Sequence, residues 1–156
     1  MTDKKQREIE NNVEFQRIVK EIVSNDSVQE MKKYRQHGNM NCFEHCYRVA
    51  YESYRICKKW KLDYVSVARA GMVHDMFLYD WRKKSPEHKP FHAFHHGKKA
   101  FMNASKEFAL SKKGKDMIIK HMWPLTIIPP WSIEGIILSC VDKYCAITDM
   151  IDSYRK

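Results

Sequence analysis

The sequence has few residues that interrupt helices, since only five glycines and five prolines occur among its 156 residues. Alternation of apolar and polar residues, which is typical of strands, is almost absent. Apolar residues instead recur at intervals of three and four along most of the chain. No apolar run approaches the roughly 18 residues that a membrane-spanning helix needs. We therefore predict an all-α protein that does not cross a membrane.

Export signals are also lacking. The first residues, MTDKKQREIENN, contain no apolar core of the kind that signal peptides carry. Five cysteines is an odd number for a disulfide framework, and no CxxC pair is present. These features favour reduced thiols and a cytoplasmic location. Cys42 and Cys46 lie one helical turn apart and could clasp a metal, but buried thiols more often serve as small hydrophobes.

The length suits one domain, which at this size needs neither a metal nor a disulfide to fold. We find no repeat, low-complexity segment or linker, and predict a single domain over 1–156. It comprises N-terminal helices within 1–38 and a motif-bearing core over 41–147.

Capping residues and apolar spacing place the helix ends. Asn41 is followed three residues later by Glu44, which is the capping-box pattern. Asp63 and Ser132 are predicted to cap two later helices, while the stretch 80–95 has the character of a loop. The predicted helices cover 4–23, a short segment from 25 or 26 to about 37, 41–60, 63–74, 96–108, 113–122 and the residues after 132.

Histidines and carboxylates cluster at the ends of these helices. His45 opens one predicted helix, His74-Asp75 closes the next, His96 opens another, His121 ends a fourth, and Asp142 lies in the last. Neutral imidazole and carboxylate are the usual ligands of zinc, manganese, iron and nickel. Each residue alone has a simpler explanation, such as a hydrogen-bonded core histidine or an aspartate paired with a lysine. Together, in one short helical domain, they favour a metal site between helix ends.

This ordered set resembles the HD superfamily of metal-dependent phosphohydrolases. The matching pieces are His45 in EHCYRVA, His74-Asp75 in AGMVHDMFLYDW and Asp142 in CVDKYCA, and the resemblance spans about 41–147. Two further stretches, HHGKKAFMNA and IIKHMWPLTIIPPWS, are similar to a small bacterial branch of that superfamily.

The resemblance implies a compact bundle of five or more helices that holds one or two divalent transition metals between them. By match of motif, the ligands of one metal are His45, His74, Asp75 and Asp142. In two-metal members the aspartate of the His-Asp pair bridges both ions, and extra histidines hold the second. The matching positions here are His96 and His121, with His95 as the competitor of His96. Manganese, iron, zinc and nickel are not distinguished.

Two departures from the family pattern narrow the function. Single-metal nucleotidases often carry a glutamate three residues after the His-Asp pair, where this sequence has Leu78, with Asp80 two residues later. The Gly-Tyr-Pro and His-Asp-x-Gly-Lys signatures of the cyclic-dinucleotide branch are absent. The first departure argues against a nucleotidase-type general acid, and the second argues against a cyclic-dinucleotide substrate.

Positive charge predicts a phosphorylated substrate. The chain has 28 lysines and arginines against 19 acids, a net charge of +9, which favours acidic partners. We predict that Arg82, Lys98 and Lys99 bind substrate phosphate, although such a run is equally typical of a solvated surface. Lys143, beside Asp142, is predicted to contact a substrate oxygen during catalysis.

The predicted function is therefore hydrolysis of a phosphoester in a small phosphorylated molecule such as a nucleotide. A metal-bound hydroxide would be the nucleophile, and Asp75 would fix the spacing of the metals. One alternative is a di-iron enzyme of similar fold that activates oxygen. Another is a basic binding module without activity, but no helix-turn-helix, zinc-finger or RNA-binding signature favours nucleic acid as its partner. The oligomeric state is not indicated.

Overall fold

A computed structural model of the chain describes residues 3–80 and 92–154. Over these residues the regular structure is helical, without strands, so the predicted all-α fold is confirmed. The α-helices are α1 (Asp3–Glu10), α2 (Val13–Val23), α3 (Asp26–Glu30), α4 (Cys42–Lys59), α5 (Tyr64–Val73), α6 (His92–Glu107), α7 (Lys112–Lys120) and α8 (Ile133–Tyr154), and a 3-10 turn, Met31–Lys33, follows α3.

The prediction of one helix over 4–23 is wrong, because the chain breaks at Asn11–Asn12 to give α1 and α2. The Asn12 side chain accepts a hydrogen bond from the Phe15 N–H and so caps a new helix. Gln16 Nε2 donates to the Ile9 carbonyl at 2.7 Å across the break. The turn buries Ile9 in the core, a position that a continuous helix would not give it.

The second helix also ends earlier than predicted. Asn25 caps α3 as expected, but the helix and its 3-10 turn finish at Lys33 rather than near residue 37. The following residues form a loop that is closed by an antiparallel bridge between Arg35 and Asn41. This loop leads directly into α4.

Helices α4 and α5 form a tightly packed pair. The capping box of Asn41 and Glu44 is present at the start of α4, and Asp63 accepts the Ser66 N–H at the start of α5. Gly71 lies against Ala50 so closely that a Cβ on Gly71 would be 2.8 Å from the Ala50 Cα. This close approach fixes the position of the end of α5 against α4.

The remaining helices cover the other side of the pair. α6 begins at His92, four residues before the predicted start, and α7 ends at Lys120, close to the predicted 122. Ser132 accepts the Gly135 N–H and caps α8 as predicted. The buried apolar residues of α1 to α8 form one cluster, at whose centre α4 and α5 lie.

One face of α8 is packed on this cluster, and its opposite face is exposed and apolar. Leu138, Val141 and Cys145 are buried, whereas Ile136, Tyr144 and other large side chains face outward. No helix in the described parts of the chain combines the length and apolar character needed to cross a bilayer.

Candidate metal centre

Helices α4 and α8 bring a histidine and an aspartate together. His45 lies in the first turn of α4, where the capping box fixes the start of the helix, and Asp142 lies on the inner face of α8. His45 Nε2 lies 2.9 Å from Asp142 Oδ1, although the two residues are 97 positions apart in sequence. The α4–α8 packing therefore forms the first half of the site.

The end of α5 adds His74 and Asp75. His74 Nδ1–H donates to the Gly71 carbonyl at 2.8 Å, so in the neutral ring Nε2 carries the free lone pair. Nε2 lies 3.4 Å from Asp142 Oδ1 and 3.5 Å from Asp75 Oδ2. The backbone of α5 thus sets the tautomer that a metal ligand needs and points it at both carboxylates.

A second pair of histidines faces the other oxygen of Asp75. His96 Nε2 and His121 Nε2 lie 3.1 Å and 3.3 Å from Asp75 Oδ1 and 2.8 Å from each other. His121 Nδ1–H donates to the Ile118 carbonyl at 2.7 Å, which again leaves Nε2 as the free nitrogen. Asp75 therefore stands between His74, which faces Oδ2, and the pair His96 and His121, which faces Oδ1.

Close packing of α6 on α7 positions this second pair. A Cβ on Gly97 would lie 2.8 Å from the Ile119 carbonyl oxygen and 2.9 Å from that of Ile118. Only glycine allows such an approach without displacement of the backbone. Gly97 directly follows His96, and the Ile118 carbonyl accepts the hydrogen bond that orients His121. The same contact therefore fixes the positions of both imidazole rings.

The six predicted metal ligands are buried, but not all of their polar atoms have hydrogen-bond partners. These residues are His45, His74, Asp75, His96, His121 and Asp142. None exposes more than 6% of its surface. Within the described residues, His74 Nε2 and Asp75 Oδ1 have no hydrogen-bond partner, although both atoms point into the cluster. Buried polar atoms without partners are costly, and a bound cation removes that cost.

Electrostatics keeps both carboxylates ionised. Burial opposes the charge on Asp142, but the neighbouring imidazoles of His45 and His74 hold its pKa well below the usual range. His74, His121 and His96 likewise outweigh burial and hold the pKa of Asp75 low. Two buried anions among neutral or protonated rings form an environment that a divalent cation would neutralise.

Burial opposes the protonated form of His45, yet Asp142 and Asp149 raise its pKa to about 10. The pKa of His121 is instead lowered, chiefly by burial, so its ring is neutral as a ligand must be.

The donor atoms fall into two groups that could each hold a metal ion. His45, His74, Asp75 and Asp142 form one, and Asp75, His96 and His121 form the other, with all donor atoms of a group within 4.8 Å of one another. This mixed nitrogen and oxygen donor set suits a divalent transition metal. Asp75 is common to both groups, and His95, the competitor of His96, is exposed.

Sequence reasoning missed three residues that support the site, namely Gln36, Asp149 and Arg48. Gln36, from the loop before α4, donates a hydrogen bond to Asp75 Oδ2. Asp149 lies 3.6 Å from His45 Nδ1 and forms an ion pair with Arg48. Asp149 follows Asp142 by seven residues, which places it two turns along the same face of a helix. That seven-residue spacing could have indicated Asp149 from the sequence, whereas no sequence pattern pointed to Gln36.

Lys143 lies at the edge of the cluster. Its ammonium is 3.2 Å from Asp142 Oδ2 and also donates to the His121 carbonyl. The alternative that Asp142 pairs with a lysine is therefore realised, but through Oδ2 only, since Oδ1 faces His45 and His74. About 31% of the Lys143 side chain is exposed, so its contact with the site leaves one side open to solvent.

Lys98 and Lys99, two of the predicted phosphate-binding residues, do not join the cluster. Lys98 and Lys99 are exposed on α6, whereas His96 on the same helix is buried. Arg82 lies outside the described residues. Cys42 and Cys46 are both buried, and Cys42 Sγ donates to the Asp75 backbone carbonyl at 3.2 Å. Neither thiol belongs to the two groups of donor atoms.

Comparisons with protein-family models, with curated proteins and with solved structures found no match to this chain.

Proposed function

We propose that this protein is a metal-dependent phosphohydrolase of the HD superfamily that acts on a small phosphorylated molecule. The observation that carries the proposal is the position of Asp75, whose Oδ2 faces His74 and whose Oδ1 faces His96 and His121. A carboxylate between two histidine sets is the arrangement expected of a shared ligand for two ions. Metals bound there would lower the pKa of a coordinated water and would neutralise negative charge on the phosphoryl group.

The protein's own residues would hold and orient this centre. His45, His74 and Asp142 supply donors on one side of Asp75, and hydrogen bonds to backbone carbonyls fix the rings of His74 and His121. The partly exposed Lys143 ammonium supplies a positive charge beside the cluster, where it can contact a phosphate oxygen. The net charge of +9 favours the approach of an anionic substrate.

The experiment loads purified protein with manganese, iron, zinc or nickel and assays a panel of phosphomonoesters, phosphodiesters and nucleotides. We expect release of phosphate or of the phosphorylated product from at least one compound, with loss of at least 99% of this turnover in His74→Ala and in Asp75→Asn. His95→Ala is the matched control, because His95 is exposed and its loss leaves the cluster intact.

Three outcomes would contradict the proposal. One is the absence of metal binding under every loading condition, and another is hydrolysis that survives in Asp75→Asn. The third is an iron-loaded protein that consumes oxygen but hydrolyses no phosphoester, which would instead identify an oxygen-activating enzyme.

A further inference from the structure

The outer face of α8 is an apolar stripe. Nine residues of this helix are exposed, and Asp152 is the one among them that carries a charge. The other eight, which we call the α8 stripe, are Ile133, Ile136, Cys140, Tyr144, Ile147, Met150, Ile151 and Tyr154. Surface helices normally expose charged and polar residues on the face away from the core. The α8 stripe therefore indicates a surface that a partner covers.

The stripe has the spacing of helices that pair along their length. Ile133, Cys140, Ile147 and Tyr154 follow one another at intervals of seven residues. Since an α-helix has about 3.6 residues per turn, a seven-residue repeat keeps these side chains on one narrow face. This repeat favours a helix as the partner rather than a small molecule or an extended peptide.

The stripe is also self-complementary when one copy is reversed. About the midpoint between Lys143 and Tyr144, six of the eight stripe residues fall opposite another residue of the stripe, while Tyr144 falls opposite Lys143 and Met150 opposite the buried Ile137. The pairs equidistant from this midpoint are Ile133 with Tyr154, Ile136 with Ile151, and Cys140 with Ile147. Two identical helices related by a twofold axis through this midpoint would thus bury apolar side chains along their full length.

Charge fits the same arrangement. Asp152, the one charged residue among the exposed residues of α8, lies about 100° around the helix from its neighbour Ile151 and so to one side of the stripe. The apolar stripe can therefore pack on a second copy without burying this charge.

The area is adequate for a stable interface. Tyr144 is 60% exposed, Ile147 57% and Tyr154 84%. Large side chains at such exposure offer on the order of 100 Å² each. Eight of them approach the roughly 800 Å² per partner that a typical stable interface buries.

We propose that the protein forms a homodimer in which the α8 stripes of two copies pack antiparallel about a twofold axis near Tyr144. The partner is a second copy of this chain, because six of the eight stripe residues fall opposite an apolar stripe residue when one copy is reversed. The inner face of α8 carries Asp142, so the dimer leaves the candidate metal centre of each copy on the opposite side of the helix.

The first test measures the molar mass of the full chain by light scattering after gel filtration at tens of micromolar. We expect twice the 18.7 kDa of one chain. Ile151→Glu, which places a carboxylate opposite Ile136 of the other copy, should give the monomer mass with unchanged circular dichroism. Val13→Glu is the control, because Val13 is 80% exposed but lies on α2, and it should remain dimeric. A monomeric wild type, or a dimer that Ile151→Glu leaves intact, overturns the proposal.

A second test fixes the direction of the two helices. Cys140 is the exposed native thiol of α8 and lies opposite Ile147 of the other copy in the proposed register. Ile147→Cys should therefore form a covalent dimer through Cys140 under mild oxidation, seen on a non-reducing gel. Ile133→Cys should not, because in this register Cys140 of the other copy lies 14 residues from position 133, which is about 21 Å along the helix axis. No covalent dimer with Ile147→Cys overturns the antiparallel register.

A membrane surface is the competing partner for an apolar helix face. Vesicles of phosphatidylcholine and phosphatidylglycerol provide the probe, and sedimentation measures bound protein. We expect the wild type to stay in the supernatant at concentrations where it is dimeric. If the wild type is instead a monomer that sediments with the vesicles through its α8 stripe, the dimer is overturned in favour of lipid binding.

Discussion

At the scale of single residues, the neighbours His95 and His96 form a matched pair. His96 is buried beside Asp75, and His95 is exposed. We expect His96→Ala to lower the metal content of manganese-loaded protein from about two ions per chain to about one, because one donor group loses a ligand. His95→Ala should retain the wild-type content. Elemental analysis makes the measurement, and equal metal content in the two variants would contradict it.

Asp149 contacts the nitrogen of His45 that faces away from the metal site, and it tests whether this contact strengthens metal binding. Its carboxylate lies 3.6 Å from His45 Nδ1, on the side of the ring away from Asp142. Residues that orient a ligating histidine typically contribute 10–100-fold to metal affinity. We therefore expect Asp149→Asn to weaken manganese binding by about that factor in a titration against a competing chelator.

Asp152→Asn, three residues further along α8 and exposed, is the control for this measurement. Its affinity should equal that of the wild type. If Asp149→Asn binds manganese as tightly as Asp152→Asn does, Asp149 has no part in orienting His45.

The sequence predicted the convergence of His45, His74, Asp75 and Asp142 because the motif ties residue type to helix position. It did not predict Gln36, because the contact of Gln36 with Asp75 depends on the path of an irregular loop. Loop conformation is set by tertiary packing and leaves no periodic signal. The sequence also did not decide whether Lys98 and Lys99 face solvent or the candidate site, since charged side chains occur both on solvated surfaces and at binding sites.

At the scale of helices, local capping determined how well boundaries were predicted. Asn41 and Asp63 cap α4 and α5 as predicted, because an acceptor side chain satisfies free backbone N–H groups wherever a helix starts. Asn12 offers the same chemistry but lies inside a continuous amphipathic pattern, so the break between α1 and α2 was missed. Burial of Ile9, a tertiary effect, accompanies that break.

The crossing of α6 and α7 depends on Gly97, and this gives a prediction for stability. Gly97→Ala would press a methyl group against the carbonyl oxygens of Ile118 and Ile119, at 2.9 Å and 2.8 Å. Overpacking of this kind costs about 1–3 kcal/mol. We expect that loss in the free energy of unfolding measured with urea.

Gly114→Ala is the matched control for Gly97→Ala. A Cβ there would meet Ser111 Oγ at an ordinary 3.5 Å, and alanine is the better helix former. Its stability should equal or exceed that of the wild type. Equal stability of the two variants would show that α6 and α7 can separate without cost, and would contradict the role of Gly97 in setting His96 and His121.

At the scale of the whole molecule, metal binding should stabilise the fold. The donor groups exist only when the helices are packed, so an ion binds the folded chain and favours it over the unfolded one. At a free manganese concentration 100 times the dissociation constant, one site adds about 2.7 kcal/mol. Thermal unfolding should shift upward with manganese and return on addition of a chelator.

Asp142→Ala should remove most of this shift, because it deletes a donor that faces both His45 and His74. Magnesium at the same concentration is the control ion, since it prefers oxygen ligands and binds histidine sites poorly. A shift of equal size with magnesium, or in Asp142→Ala, would mean that the stabilisation comes from elsewhere on the chain.

The donors come from separate parts of the chain, and this has a consequence for how the sequence can vary. A metal that joins His45 to Asp142 closes a loop of nearly 100 residues. The entropy cost of loop closure grows only with the logarithm of length, so doubling a flexible loop costs about 0.6 kcal/mol. Insertions between α7 and α8 should therefore be inexpensive, provided that the helix ends still meet. The metal would then act as a cross-link between distant parts of the chain, and the free energy by which it stabilises the fold would depend only weakly on the number of residues between its ligands.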